Sequence, residues 1–103
     1  MTYEVRYSPS ALRDLERIRA DVLHVSGNSN TAFRYISELL DKVESKKCYP
    51  KSGTPLYYED GFTGYYYVAY KAYLAFYRIK DETILVDRIL PGNSDYMRRL
   101  HLG

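Results

Sequence analysis

Three runs, Tyr65–Tyr70, Tyr73–Lys80 and Thr83–Leu90, are separated only by the pairs Lys71-Ala72 and Asp81-Glu82. Each run is rich in tyrosine, valine, isoleucine or leucine, the residue types that fit a pleated, half-buried surface. A two-residue connection leaves an extended chain no course except to turn back beside itself, so the runs predict two consecutive antiparallel hairpins. That turn length also sets the register, placing Tyr70 opposite Tyr73 and Lys80 opposite Thr83. One face then carries Tyr66, Val68, Tyr70, Tyr73, Ala75, Tyr77, Ile79, Ile84, Val86 and Leu90, with Arg88 as the exception, and is the expected core face. The other carries Tyr65, Tyr67, Ala69, Leu74, Phe76, Arg78, Lys80, Leu85, Asp87 and Ile89, a mixture suited to an RNA-facing or protein-facing surface.

Upstream, Thr2 to Tyr7 alternates with period two and predicts a strand, which Ser8-Pro9 ends. Serine caps a helix by accepting early backbone N–H groups, and proline at the first helical position loses no hydrogen bond. A helix is expected from there to Gly27, with Leu12, Leu15, Ile18, Val22 and Val25 inward and Arg13, Asp14, Arg17, Arg19 and Asp21 largely outward. Asn28-Ser29-Asn30 caps a second helix whose apolar stripe is Phe33, Ile36, Leu40 and Val43, widened by Ala32 and Leu39. The short polar connection makes the pair an antiparallel hairpin. Lys42, Lys46 and Lys47 gather where positive charge complements the helix C-terminus. Cys48 to Gly64, with two prolines and three glycines, reads as a surface loop.

Length and composition narrow the classes. A chain of 103 residues, 46% hydrophobic and 27% charged, is expected to form one domain over residues 1–103 with a single core. The lone Cys48 excludes an intrachain disulfide and cysteine-based zinc or redox motifs, pointing to a reducing, cytoplasmic setting. No apolar run suits a signal peptide or a membrane span. Lys plus Arg outnumber Asp plus Glu nine to seven in residues 1–52 and balance six to six thereafter, so charge is weak support for a nucleic-acid partner. No Walker loop, dinucleotide fingerprint, EF-hand, HExxH or zinc spacing occurs, His24 and His101 are too isolated to suggest a metal, and no cofactor is expected.

What the residues can offer is metal-free ribonuclease chemistry. That requires a base for the ribose 2′-hydroxyl, an acid for the leaving oxygen and cations aimed at the phosphate. Arg78, Lys71, Lys80, Arg98 and Arg99 are the candidate cations. Tyr96 is the candidate phenol, and Tyr65 and Tyr67 are candidate base-stacking rings. The plainer reading is that Tyr65 and Tyr67 fill a sheet face and that Arg78 pairs with Asp87 or the acidic turn.

The order strand, helical hairpin, Pro/Gly loop and three antiparallel strands resembles the RelE/ParE superfamily of bacterial toxins. The segments that carry the resemblance are YSPSALRDLERI (Tyr7 to Ile18), GTPL (Gly53 to Leu56), YLAFYRIKDETILVDRIL (Tyr73 to Leu90) and DYMRRL (Asp95 to Leu100). The resemblance implies an α+β fold with the strands in one curved sheet packed on the helices. It also implies a growth-arresting toxin of a type II toxin–antitoxin system, held by a cognate antitoxin. Two targets stay open. Ribosome-dependent mRNA endoribonucleases of this kind (mRNA interferases) usually carry an arginine where this chain has Leu74, and basic residues or a histidine where it has Asn93, Ser94 and Asp95. Tyr96, Arg78 and Lys71 would then be catalytic, with Tyr65, Tyr67, Lys80, Arg98 and Arg99 holding RNA. ParE-like toxins instead inhibit DNA gyrase by binding it, and an inactive antitoxin-binding relative is a third possibility. The ribonuclease is the first expectation, because Tyr96 and the surrounding cations could still assemble a site.

Overall fold

The computed structural model describes residues 2–102. Its elements are β1 (Glu4–Tyr7), α1 (Pro9–Ser26), α2 (Ser29–Glu44), β2 (Thr54–Tyr58), β3 (Gly61–Tyr70), β4 (Tyr73–Lys80), β5 (Thr83–Pro91) and the single turn α3 (Tyr96–Arg99). The strands form one sheet in the order β1-β5-β4-β3-β2, with β1 parallel to β5 and every other pair antiparallel. The α+β class, the helical hairpin and both expected turn registers are present, with Tyr70 opposite Tyr73 and Lys80 opposite Thr83.

The expected loop is the main departure. Within Cys48 to Gly64 only a 3-10 turn at Pro50–Ser52 and short connections are irregular, while β2 and the start of β3 form a further hairpin, making four antiparallel strands. Proline marks a break in a central strand, but Pro55 lies on the sheet edge, where a missing N–H costs no ladder bond. Gly64 adopts φ 91° at an irregularity in this pairing. There the Thr63 hydroxyl donates to the Leu56 carbonyl (2.7 Å) and accepts from the Tyr65 N–H (3.1 Å), replacing regular ladder bonds.

Both helices are capped as their sequences dictate. Ser8 Oγ accepts the Ala11 N–H at 3.0 Å, Gly27 takes φ 65° at the end of α1, and the Asn28 side chain accepts from Asn30 and Thr31. Ser8 Oγ also donates to the Asp87 carbonyl at 2.7 Å, which pins the start of α1 to β5. The buried faces are rotated from expectation. Ala11, Asp14, Leu15 and Ile18 are buried in α1 and Ala32, Leu39 and Val43 in α2, whereas Leu12, Val25 and Phe33 are exposed at 54%, 85% and 72%.

Asp14 explains the rotation of α1. Its carboxylate, only 1% exposed, accepts from Arg88 Nε (2.8 Å) and Nη2 (3.0 Å) and from the Ile89 N–H (2.9 Å). The ladder between β1 and β5 ends at Tyr7 opposite Val86, so the β5 edge beyond it lacks a strand partner. Asp14 supplies one acceptor there, and Arg88 neutralises it. A buried carboxylate without those partners would be strongly disfavoured.

A bulge decides the faces of β5. Phe76 pairs with Arg88 and Tyr77 with Val86, leaving Asp87 as an extra residue. Beyond it the faces exchange, contrary to the strict alternation expected from sequence: Ile89 joins the helix-side core, and Leu90 joins the opposite face. The charged residue that interrupted the apolar face, Arg88, marked that place.

Two cores result. The larger joins α1 and α2 to the sheet through Leu15, Ile18, Leu39, Val43, Tyr77, Ile84 and Val86. Tyr77 is fully buried and donates to the Pro50 carbonyl at 2.6 Å. A Cβ on Gly53 would collide with that hydroxyl, which accounts for glycine at this position. On the other face Leu56, Phe76, Leu90 and Leu100 form a second core, packed by Tyr65, Tyr67, Leu74, Tyr96, Met97 and Leu102. The C-terminal segment therefore folds over the face that the sequence left as a partner surface.

Candidate functional site

Where the C-terminal turn, β5 and the start of α1 meet, a cleft of about 230 Å³ is lined by Ser8, Ser10, Tyr65, Asp87, Arg88, Arg99, Leu100 and His101. Four chain segments build it: the α1 start, β3, β5 and the C-terminal turn. Ser8 is fixed by its cap, Asp87 protrudes because of the bulge, and Leu100 anchors the turn bearing Arg99 and His101 in the second core.

Asp87 is the hub of the polar groups. Tyr65 donates its hydroxyl to Asp87 Oδ2 at 2.7 Å, and Arg78 Nε donates to the same oxygen at 2.8 Å. The guanidinium carbon of Arg78 also lies 5.7 Å from the centre of the Tyr65 ring. Burial, followed by the hydrogen bond to Asp87, pushes the Tyr65 hydroxyl up to about 12. Hydrogen bonding to Asp87 likewise raises Arg78. Tyr65 is thus held as a neutral donor and Arg78 as a cation already matched by a carboxylate.

The remaining residues singled out from sequence are dispersed. Tyr96 and Tyr67 pack against Phe76, with ring centres 5.1 and 5.7 Å from it. Leu74 packs against the same core. Lys71 occupies the β3–β4 turn with φ 51°, its ammonium 5.2 Å from the Tyr35 ring and 5.5 Å from the Tyr70 ring on the helix side. Arg78 lies seven positions further along the chain, roughly 20 Å at strand rise. Lys80 is exposed at the far end of β4, and Arg98 faces Asp95 at 3.5 Å. The structure therefore brings Tyr65 and Arg99 to one cleft, holds Arg78 behind its wall on Asp87 and Tyr65, sets Tyr67 and Tyr96 beside it in the second core, and leaves Lys71 apart.

Ser8, Ser10, Arg88 and His101 also line the cleft, although sequence reasoning gave none of them a role there. Ser8 carried a signal only as a helix cap. His101 reaches the cleft because the backbone turns at φ 62° after α3, a reversal that its side-chain type does not announce. Among the described residues no group of three His, Cys, Asp or Glu side chains suits a metal ion, and no helix is long and apolar enough to cross a membrane.

The tyrosines predict an alkaline transition. Burial is the leading cause that pushes Tyr7, Tyr65, Tyr70 and Tyr77 up to about 12 from an ordinary value of 10. A phenol whose value is raised on folding contributes stability that is complete below the unfolded value and is lost as pH rises through the folded one. Stability to urea is expected to hold up to about pH 10 and to fall between about pH 10 and 12. Phenolate absorbance measured beside urea midpoints checks this; thirteen tyrosines titrating together near pH 10, without loss of stability, would contradict it.

Comparison with known proteins follows the same fold. The family model described as the ParE toxin of type II toxin–antitoxin system, parDE, matches residues 5–96. No curated protein sequence matches significantly. Among solved structures, a chain of the chromosomal ParDE toxin–antitoxin system from P. aeruginosa superposes with a TM-score of 0.74 at 17% identity, covering 87% of this chain and 96% of its own. A chain of the toxin–antitoxin complex RelBE2 from Mycobacterium tuberculosis superposes with a TM-score of 0.63 at 22% identity, covering 88% and 99%. YafQ from E. coli gives 0.54 at 11% identity, covering 87% and 93%.

Proposed function

The chain belongs to the ParE toxin family of type II toxin–antitoxin systems, and from that premise we propose that it arrests growth by binding a protein target, DNA gyrase, rather than by cutting RNA. A cognate antitoxin holds it inactive. The observation that carries the binding mode is the engagement of Arg78 and Tyr65 by Asp87. Transition-state stabilisation of a phosphate needs donors aimed at charge that is still to develop. These two donors are already turned to a resident carboxylate. Lys71 stands on the helix side, and Leu74 is apolar.

Ribosome-dependent mRNA cleavage is the second reading, favoured by Arg99 and His101 lining one cleft with Tyr65. The ribosome would then have to supply or reposition the missing groups. Purified toxin in a gyrase supercoiling assay tests the first reading: inhibition is expected and should be reversed by the antitoxin. Full gyrase activity at saturating toxin, together with codon-phased cuts found by primer extension in arrested cells, would replace it with the second.

A further inference from the structure

The charges around the cleft do not balance. Arg88 is matched by Asp14 and Arg78 by Asp87. Arg13, which donates to the cleft-lining Ser10 Oγ at 3.2 Å, and Arg99, which lines the cleft itself, form no ion pair among the described residues. One guanidinium group, that of Arg99, is therefore left over inside a recess formed by the α1 start, β3, β5 and the C-terminal turn, and a second, that of Arg13, stands at its rim on Ser10. Arginine recognises planar anions through paired N–H donors, so the recess is suited to a carboxylate or a phosphate oxygen.

Size and surroundings distinguish these ligands. About 230 Å³ is below the roughly 300–1,000 Å³ of pockets that enclose whole small molecules, but it accommodates one side chain. Single-stranded RNA is gripped mainly by aromatic rings free to stack on bases. Here Tyr65 lies under Arg78 with its hydroxyl on Asp87, and Tyr96 packs on Phe76. We propose that this cleft is an anchor for an aspartate or glutamate side chain of a partner protein, held by Arg99 and Arg13. The assignment rests on the protein-binding reading above and names the chemistry by which the partner is gripped.

The probes are a blocked aspartate-containing pentapeptide, its asparagine counterpart and pentauridylate, each titrated into the full-length ¹⁵N-labelled protein. The aspartate peptide should shift the arginine Nε–H resonances of Arg13 and Arg99 and bind at least about tenfold more tightly than the asparagine peptide, the order of one charge-assisted contact. Arg99→Gln should weaken it about fivefold or more, whereas Arg34→Gln, on α2, should leave it unchanged. Equal binding of both peptides, unchanged affinity in Arg99→Gln, or preferential binding of pentauridylate would overturn the proposal. The supercoiling assay is independent of these titrations: gyrase left active by a toxin that still binds the aspartate peptide refutes the target and not the cleft.

Discussion

Asp14→Ala is expected to destabilise the protein by about 3–5 kcal/mol, the cost typical of removing one partner from a buried ion pair. Two losses coincide. Arg88 keeps its charge without the carboxylate that receives two of its N–H groups, and the Ile89 N–H loses its acceptor on the β5 edge. Domains of this size have a total stability of only about 5–15 kcal/mol, so the variant should stand near unfolding at 37 °C. Urea denaturation measures the change, and a loss below about 1 kcal/mol would show that Asp14 does not hold α1 to β5 as described. The double change Asp14→Leu with Arg88→Met is the informative control. Replacing both members of a buried pair by apolar groups of similar size is often neutral or better, so it should recover much of the Arg88 part of the loss while the Ile89 N–H stays unpaired.

Phe76→Ala is the second large effect, about 3–5 kcal/mol for a fully buried phenylalanine. Its distinctive consequence lies in the C-terminal segment. Phe76 is the floor on which Tyr96 packs, and Leu90 and Leu100 complete the same small core. Removing the ring should release residues 96–102 before the helix-side core yields, since that core draws on other side chains. Hydrogen exchange should show protection lost first in α3. The cleft should lose peptide binding at the same time, because Arg99 and His101 ride on that segment. Uniform loss of protection across α1, α2 and the C-terminal turn would instead mean that the two cores unfold as one. Tyr96→Ala, which removes a partly exposed ring, should have the same direction and a smaller size.

The fold was largely legible where local chemistry and pattern agree. Ser8-Pro9 and Asn28 act as helix starts, Gly27 takes the left-handed conformation that ends α1, and the two-residue turns set the register of β3, β4 and β5. The β2–β3 hairpin was hidden because Pro55 and Gly64 are breakers in an average strand, whereas an edge position and an irregular pairing accommodate them. Asp14 was placed outward because an isolated carboxylate belongs in water. Its partner Arg88 is 74 residues away, and no periodicity connects them.

The candidate site divides in the same way. Tyr65, Arg78 and Arg99 were recognisable as residue types able to meet an anion; Tyr65 and Arg99 do line one cleft, while Arg78 reaches it only through Asp87. What they can do there depends on Asp87, whose position follows from one bulge, and on a C-terminal turn that folds back over the sheet. The sequence by itself determined β1, the two helices, the three later strands, their order and the family, since capping, turn length and alternation act over a few residues. Only the tertiary structure decided which charges are spent inside the fold and which remain for a partner. That balance depends on distances between side chains that the chain brings together only when both cores have formed.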